Sequence, residues 1–555
     1  MRRATITGGV LSVVHQWLSW GLPVAGKVGA VVVAAGLIWL AMQWGRWGLA
    51  FYDRVVPFYD SLSYQDGYYA VAERSERDGV LTTLAAVWKE PNNNVVLYKF
   101  AAAVLGQFLP PGKVGLYVYL FGVHLAGLAG LGVVTWRLTG RVHLAVLASA
   151  AWLAAVPFGL VKSGVGDQRM DLASASFYLL NAALALLWSR NPGASRAGWV
   201  GIAAALAVLH RPVMAATLAV MIGLFAVRAI LAHRRPVRVW VMNALAMVLP
   251  GAVLSLPWLI AHASELHRYY LVANVDLGNA ASVGTAARYN LNQFAAAFGL
   301  LYAGILALGM GGLMVCRRIA WLDILTVVAA TILPLATLAF SKSAGNVFVS
   351  QIPLGVPALM LACVRPRAAG KSEPVIPLAV ALVVFGVVAA SSVAALRGEV
   401  EALRGNPRAE VVQVLNTVLE KKPRVRVAAF QDNPVNVVAM AAIARELRLP
   451  VDVGTYGYHA PHFGLPNQPV GSFTSDDLRR GAESAIAGVA ARDDVLLLPS
   501  EETRHLLYPE PLSHRLIPEM GRQVTSDPRF VHVGQAGPVS GMAFDVYVIE
   551  RAEAD

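Results

Sequence analysis

A chain of 555 residues that is 56% hydrophobic and only 14% charged cannot be an ordinary water-soluble protein, because soluble domains carry about 25% charged residues. The formal net charge of +12 would suit a nucleic-acid partner. Much of that charge, however, falls in short loops between apolar runs, where cations also meet anionic headgroups. The composition therefore indicates an integral membrane protein in contact with membrane lipids and argues against nucleic-acid binding.

Apolar runs close to the ~20 residues needed to cross a bilayer recur up to residue 396. A shorter run, 198–210, is followed at once by Arg211-Pro212 and is interpreted as a half-length helix that turns near the outer interface. Together the runs predict a polytopic α-helical membrane protein with about eleven transmembrane helices. The ten longer runs are 28–49, 114–137, 142–162, 172–189, 212–231, 238–260, 293–315, 319–340, 346–364 and 375–396.

Lys and Arg concentrate in alternate loops, which orients the chain because positive residues are retained on the cytoplasmic side. The N-terminal segment 1–27 is predicted to be cytoplasmic, and loops 50–113 and 261–292 are predicted to be external. We therefore expect a multi-pass protein of the cell membrane, the inner membrane in a bacterium. The cytoplasmic set is Arg2, Arg3, Lys27, Arg137, Arg141, Arg190, Arg196, Arg228, Arg234, Arg235, Arg238, Arg317, Arg318, Arg365, Arg367 and Lys371.

The pattern changes after residue 396, where short apolar runs alternate with helical stretches. This alternation predicts an external, periplasmic α/β domain over 397–555 with a sheet that is at least partly parallel. No glycine-rich phosphate-binding motif follows any strand, so nucleotide binding is not expected there. Strands are predicted at 424–430, 450–454, 494–498, 529–533 and 544–549, and helices at 407–420, 433–447 and 474–491.

Carboxylates in the external loops are the first candidates for catalysis on that side of the membrane. Asp60 follows the first crossing between aromatic residues, and Asp66 comes shortly after it. The next short external loop brings Asp167 and Asp171 to the start of a helix. Two acidic turns are thus predicted to face each other across one cavity. The structural alternative is that each aspartate merely caps a helix.

Basic side chains at the same predicted level would suit a phosphate, which Arg binds bidentately and Lys binds as a point charge. His210 and Arg211 interrupt an apolar region, where an ionisable group is costly unless it faces a cavity or a partner. Snorkelling to the headgroups is the alternative. No metal-binding motif is present, so no cofactor is assigned and a role for a divalent metal is left open. The candidate cations include Arg169, His210, Arg211, Arg288 and Lys342.

The order of these features resembles the GT-C class of membrane glycosyltransferases, which includes protein O-mannosyltransferases and the lipid A aminoarabinose transferase. The resemblance covers most of residues 28–396. It rests on the order of its motifs along the chain. These are Asp60 with Tyr64, Tyr68 and Tyr69; Glu90-Pro91-Asn92 leading to Tyr98; QRMD at 168–171 with Phe177; GIAAALAVLHRP at 201–212; Pro257-Trp258; and Lys342 ahead of Pro353 and Pro357.

This resemblance implies transfer of a sugar, with inversion, from a polyprenyl-phosphate-linked donor to a glycan, lipid or protein acceptor on the external face. Asp60 would be the general base and Asp171 would orient a substrate. Two alternatives stay open: a transporter or lipid flippase, and a non-catalytic envelope assembly scaffold. The implied donor-phosphate ligands are Arg169, His210, Arg211 and Lys342. The implied substrate-binding residues are Tyr64, Asp66, Tyr69, Asp167 and Arg288.

Overall fold

The structure is a computed structural model, helical up to residue 419 and mixed α/β beyond it within the residues it describes. The predicted domain boundary at 396–397 and most of loop 261–292 lie outside those residues. The described residues are 39, 42–43, 45–46, 50, 60–90, 96–109, 113–155, 170–267, 319–337, 355–365, 407–419, 424–427, 437–454, 460–466, 470–506, 512–539 and 541–551.

The first long loop folds into three helices where it is described: α1 (Asp60–Asp78), α2 (Val80–Lys89) and α3 (Val96–Leu105). Between α1 and α2 stands Gly79 with φ 82°, a left-handed conformation that glycine adopts without strain. The described part of this loop is thus largely helical.

The apolar runs form a bundle of helices. Four of them, α4, α6, α8 and α9, are long and apolar enough to cross a membrane among the described residues. Runs 293–315 and 375–396 lie outside the described residues, so the count of eleven crossings stays a prediction. The helices are α4 (Lys113–Thr139), α5 (Val142–Ala155), α6 (Asp171–Arg190), α7 (Ala194–His210), α8 (Met214–Ala232), α9 (Val237–Ala261), α10 (Ala263–His267), α11 (Trp321–Thr337) and α12 (Val356–Ala362).

Helix α7 is longer than the half-length helix predicted from run 198–210. It has 17 residues, or about 25 Å at 1.5 Å per residue. The apolar run marks only its buried part, because Ser195 and Arg196 extend it at the polar end. Its packing on α9 is close: a side chain at Gly201 would overlap the carbonyl of Met247. Small residues allow such approaches between membrane helices.

Helix α6 lies at the centre of the bundle and α9 at its periphery. On α6, Tyr178, Ala182 and Leu186 are buried. On α9, by contrast, Leu245 and Val248 are more than half exposed in the isolated chain. An apolar face without protein cover is what a lipid-facing helix presents in a membrane.

The C-terminal residues form a five-stranded sheet of order β2-β1-β3-β5-β4. Strand β1 pairs in parallel with β2 and β3, whereas β5 pairs antiparallel with β3 and β4. The sheet is therefore partly parallel. Its elements are α13 (Pro407–Leu419), β1 (Arg424–Val427), α14 (Val437–Glu446), β2 (Asp452–Gly454), α15 (Ser475–Arg492), β3 (Val495–Pro499), α16 (Leu512–Ser526), β4 (Phe530–Val539) and β5 (Met542–Ile549).

Helices cover both faces of this sheet. Because successive residues of a strand point to opposite faces, Val495 and Leu497 pack with α13 and α14 while Leu496 and Leu498 pack with α15 and α16. Helix α15 begins at a capping box in which Thr474 and Asp477 bond reciprocally. Asp476 and Asp477 give this helix an acidic first turn, which its dipole favours.

Candidate active site at one end of the helices

Both predicted catalytic aspartates stand at helix starts. Asp60 is the first residue of α1 and Asp171 is the first of α6. Their side chains, and that of Asp66, lie outside the described part of the structure. The same holds for the whole of Asp167, Arg169, Arg288 and Lys342. The described residues next to the two aspartates define the surroundings of their helix starts.

His210, the last residue of α7, is completely buried and joins three helices. Its Nε2 lies 3.2 Å from the carbonyl oxygen of Met170, the residue before Asp171. A carbonyl oxygen can only accept, so Nε2 carries the hydrogen. The hydroxyl of Tyr119 on α4 lies 2.8 Å from Nδ1, and the ring of Phe177 on α6 lies 5.1 Å from the imidazole.

These contacts revise the role predicted for His210. Both ring nitrogens are engaged by protein groups, so a donor phosphate would have to displace Tyr119 or the Met170 carbonyl. His210 is better placed to fix the start of α6 and the direction of Arg211. The Arg211 residue follows α7 at its C-cap and is half-buried. We call this region, defined by Tyr119, Met170 and His210, the His210 end of the bundle.

Helix α1 reaches the same end through its tyrosines. Tyr64 makes an edge-to-face contact with Tyr98 of α3, with ring centroids 5.8 Å apart. The Tyr68 hydroxyl lies against Gly115 near the start of α4, where any side chain would overlap it. Gly67 is similarly restricted, since a Cβ there would lie 2.5 Å from the Tyr98 hydroxyl.

One buried cluster unites these elements. The α1 tyrosines share it with Tyr98, Leu120, Met170, Leu209 and Trp258. Asp60 precedes Tyr64 by one helical turn, and Asp171 follows Met170 directly. The helices that begin at Asp60 and Asp171 thus meet around one cluster, beside His210 and Arg211.

The end of α9 closes this cluster against α2. His262 Nε2 lies 3.0 Å from the carbonyl oxygen of Trp88, and its ring lies 5.0 Å from that of Trp258. Trp88 in turn stacks on Phe100, with ring centroids 6.1 Å apart. Aromatic rings of this kind are typical of the level where a helix leaves the hydrocarbon region.

The structure argues against Tyr69 as a substrate-binding residue. Its side chain is fully buried, accepts a hydrogen bond from Gln65, and donates to Glu446 Oε2 at 3.4 Å. Burial raises the pKa of its hydroxyl well above the usual value. Glu446 belongs to α14 and also pairs with Arg408 at 2.5 Å. Tyr69 therefore joins α1 to α14 of the C-terminal α/β region, and its hydroxyl does not face the candidate site.

Two residues of this region, Tyr119 and Lys99, are not marked by any sequence motif. Tyr119 lies within an apolar run and belongs to no motif. Its neighbours in sequence therefore do not mark it as a partner of His210. Lys99 directly follows Tyr98 and lies near the ion pair of Arg74 with Glu90. Burial lowers the pKa of its ammonium group below the usual lysine value.

Metal ligands were not predicted, and the question of a divalent metal stays open. Among the residues that the structure describes, no group of three or more His, Cys, Asp or Glu side chains could hold an ion. The side chains of Asp60, Asp66 and Asp171 lie outside the described residues.

No family model and no curated protein matches the chain. Among solved structures, ArnT from Cupriavidus metallidurans bound to undecaprenyl phosphate is similar with a TM-score of 0.58 at 12% sequence identity. The alignment covers 94% of this chain and 98% of that one. The apo state of the same protein gives a TM-score of 0.54 at 12% identity with the same coverage. Over nearly its whole length, the chain therefore has the GT-C fold of ArnT.

Proposed function

We propose that the chain is a membrane glycosyltransferase that moves a sugar from a polyprenyl-phosphate-linked donor to an acceptor on the external face. The observation that carries this proposal is the likeness to ArnT, which extends over 94% of this chain and includes a structure that holds undecaprenyl phosphate. Helix α9, whose apolar face has no protein cover, packs on α7, which ends at His210, so a polyprenyl chain would reach this end from the bilayer.

Asp60 is the proposed general base that takes the proton of the acceptor hydroxyl. This role requires correct geometry more than a large pKa shift. A position at the start of α1, one turn before a tyrosine packed on the common cluster, supports it. Asp171 would orient the acceptor or the donor sugar from the start of α6. Tyr64, Asp66, Asp167 and Arg288 remain the proposed substrate-binding residues.

Cations would stabilise the phosphate that leaves with the polyprenyl chain. Such a leaving group needs little acid catalysis, because developing negative charge is better met by fixed positive groups. The proposed ligands are Arg169, Arg211 and Lys342. His210 is a positioning residue in this account: it holds the backbone before Asp171 and the helix end before Arg211.

Contacts between the C-terminal α/β region and α1 support the proposed membrane topology. Helix α14 touches α1 through Glu446 and Tyr69 and through an exposed ion pair of Arg448 with Glu76 at 3.3 Å. Two segments that touch lie on one side of a membrane. The loop that contains α1 and the C-terminal α/β region are both proposed to be external, which agrees with the distribution of arginines.

Donor binding tests the proposal before the sugar is known. The full chain, purified in detergent, would be titrated with undecaprenyl phosphate and with undecaprenol, and the bound lipid measured by native mass spectrometry. We expect the phosphate to bind at least tenfold more tightly than the alcohol, and Arg211→Gln to reduce that preference. Arg196→Gln, at a half-buried arginine near the other end of α7, is the matched control. Equal binding of both lipids would contradict a phosphate-recognising donor site.

A further inference from the structure

A buried ion cluster lies at the end of the bundle opposite His210. Asp323 on α11 is 2% exposed and accepts from two arginines. Arg228 of α8 donates through Nε to Oδ1 at 2.6 Å, and Arg190 of α6 donates to Oδ2 at 2.6 Å. Arg228 also donates to the carbonyl of Ser189, and Arg190 to that of Cys363. One carboxylate therefore fixes the ends of two helices.

The position of this cluster follows from α6. Asp171 begins that helix and Arg190 ends it, and the helix has 20 residues. A helix of that length spans about 30 Å, so the cluster lies a full helix length from His210. Arginines concentrate at this end, which the charge distribution predicts to be cytoplasmic.

A cavity of about 300 Å³ opens beside the cluster. Its lining includes Arg190, Arg228 and Asp323, and also His233 and Arg365. Arg365 is exposed, and His233 is half-buried. Among the described residues that line the cavity, three carry guanidinium groups and one carries a carboxylate.

Arg190 and Arg228 share the single carboxylate of Asp323, so this buried cluster carries one positive charge more than packing requires. A buried ion pair that serves packing alone is stabilised best when its charges balance, because an uncompensated buried charge is costly. Guanidinium groups match the geometry of phosphate oxygens and donate bidentately. Basic pockets between membrane helices on the cytoplasmic side suit lipid headgroups for the same reason.

We propose that this cavity binds a phosphate-bearing anion, either the headgroup of an anionic phospholipid or free phosphate. Asp323 orients Arg190 and Arg228, and Arg365 completes the positive lining. Binding would neutralise the excess charge and hold α6, α8 and α11 together. The inference is independent of the proposed sugar transfer, because the cavity and the His210 end lie at opposite ends of α6.

Thermal unfolding of the full chain in detergent tests the proposal. Wild type, Arg365→Ala and Arg238→Ala would be titrated with phosphatidylglycerol, phosphatidylcholine and sodium phosphate at constant ionic strength. Arg238 is exposed at the start of α9 and does not line the cavity, so it controls for loss of charge. We expect phosphatidylglycerol to raise the unfolding temperature of wild type and of Arg238→Ala. Its half-saturating concentration should be about fivefold higher in Arg365→Ala.

The arms of this experiment distinguish the sources of the anion. A response to phosphatidylglycerol alone identifies a lipid headgroup, and a response to sodium phosphate as well identifies a free phosphate site. Arg365→Lys, which keeps the charge, should restore binding, and Arg365→Gln serves if the alanine variant is not recovered folded. Equal responses of the Arg365 and Arg238 variants, or no response of wild type to either anion, would overturn the proposal.

Discussion

The hydroxyl of Tyr119 lies 2.8 Å from Nδ1 of His210 and ties α4 to the end of α7. Because Nε2 of the same ring is bound to the carbonyl of Met170, this contact reaches the residue before Asp171. The imidazole thus joins the two helix ends that frame the candidate site. The contribution of this contact to stability can be measured without knowledge of any substrate.

Removal of the Tyr119 hydroxyl should destabilise the fold. Tyr119→Phe leaves Nδ1 of a buried histidine without this partner, which costs about 1–3 kcal/mol. Tyr68→Phe is the control, because the Tyr68 hydroxyl is buried with no hydrogen-bond partner among the described residues. Its loss should cost less than about 0.5 kcal/mol. Unfolding in mixed detergent and sodium dodecyl sulfate would measure both; a larger loss in Tyr68→Phe would refute the assignment.

Gly201→Ala should separate α7 from α9. The added methyl group would overlap the backbone carbonyl of Met247, which cannot rotate away, so a loss of about 1–3 kcal/mol is expected. Gly251→Ala on α9 meets nothing within 4 Å and should be neutral or stabilising by up to about 1 kcal/mol. The same unfolding titration compares the two variants. Equal stability would show that α7 and α9 are not so closely packed.

Glu446→Ala should loosen the C-terminal sheet from α1. The substitution removes the partner of Tyr69 and leaves Arg408, which is 12% exposed, without its carboxylate; breaking such a pair costs about 3–5 kcal/mol. Arg448→Ala, in an exposed pair with Glu76, should cost less than about 1 kcal/mol. Limited proteolysis should cleave the C-terminal region faster in Glu446→Ala only. Similar cleavage of both variants would contradict this interface.

Lys99→Met should stabilise the protein at neutral pH. Burial lowers the pKa of Lys99 in the folded state, so the unfolded chain binds the proton more tightly. Stability therefore rises as the pH rises from the folded pKa towards the ordinary value of 10.5. The gain in stability from methionine should be largest at pH 7 and should fall as the pH approaches 10.5. Lys89→Met, at an exposed lysine of α2, should show no such trend in unfolding temperature measured against pH.

Regular periodicity made most of the secondary structure predictable. Strands were expected at five places after residue 420, and β1 to β5 lie at or within a few residues of them. Helix α16 was not predicted, because Pro518 stands inside it and proline usually ends a helix. Its buried positions Leu512, Leu516, Met520 and Val524 nevertheless recur every four residues, a pattern that would have revealed it.

Strand β4 is twice as long as its predicted core at 529–533. Gly534 and Gly537, both with positive φ, introduce irregularities that let the strand continue to Val539. Glycines of this kind look like a strand end in sequence, whereas in a sheet they accommodate bulges. Local residue type alone does not distinguish the two cases.

The sequence predicts which residue types form the candidate site, but only part of their arrangement in space. The spacing of aspartates and the His210-Arg211 pair indicated which helix ends carry charge. Tyr69 and His210 were assigned to substrate because tyrosines and basic groups at such positions bind ligands. Their partners, Glu446 and Tyr119, lie 377 and 91 residues away, and no local pattern encodes contacts at that separation.

Sugar transfer by an Asp60 variant tests the central claim most directly. Reconstituted protein would be given polyprenyl-phosphate-linked sugars and a mixed acceptor extract, and the release of polyprenyl phosphate would be followed by mass spectrometry. Asp60→Asn should lower the rate by about 10²–10⁴-fold while the donor still binds. Asp78→Asn, at the other end of α1, should release polyprenyl phosphate at the wild-type rate. Full activity of Asp60→Asn, or no release by wild type from any donor that it binds, would contradict the account.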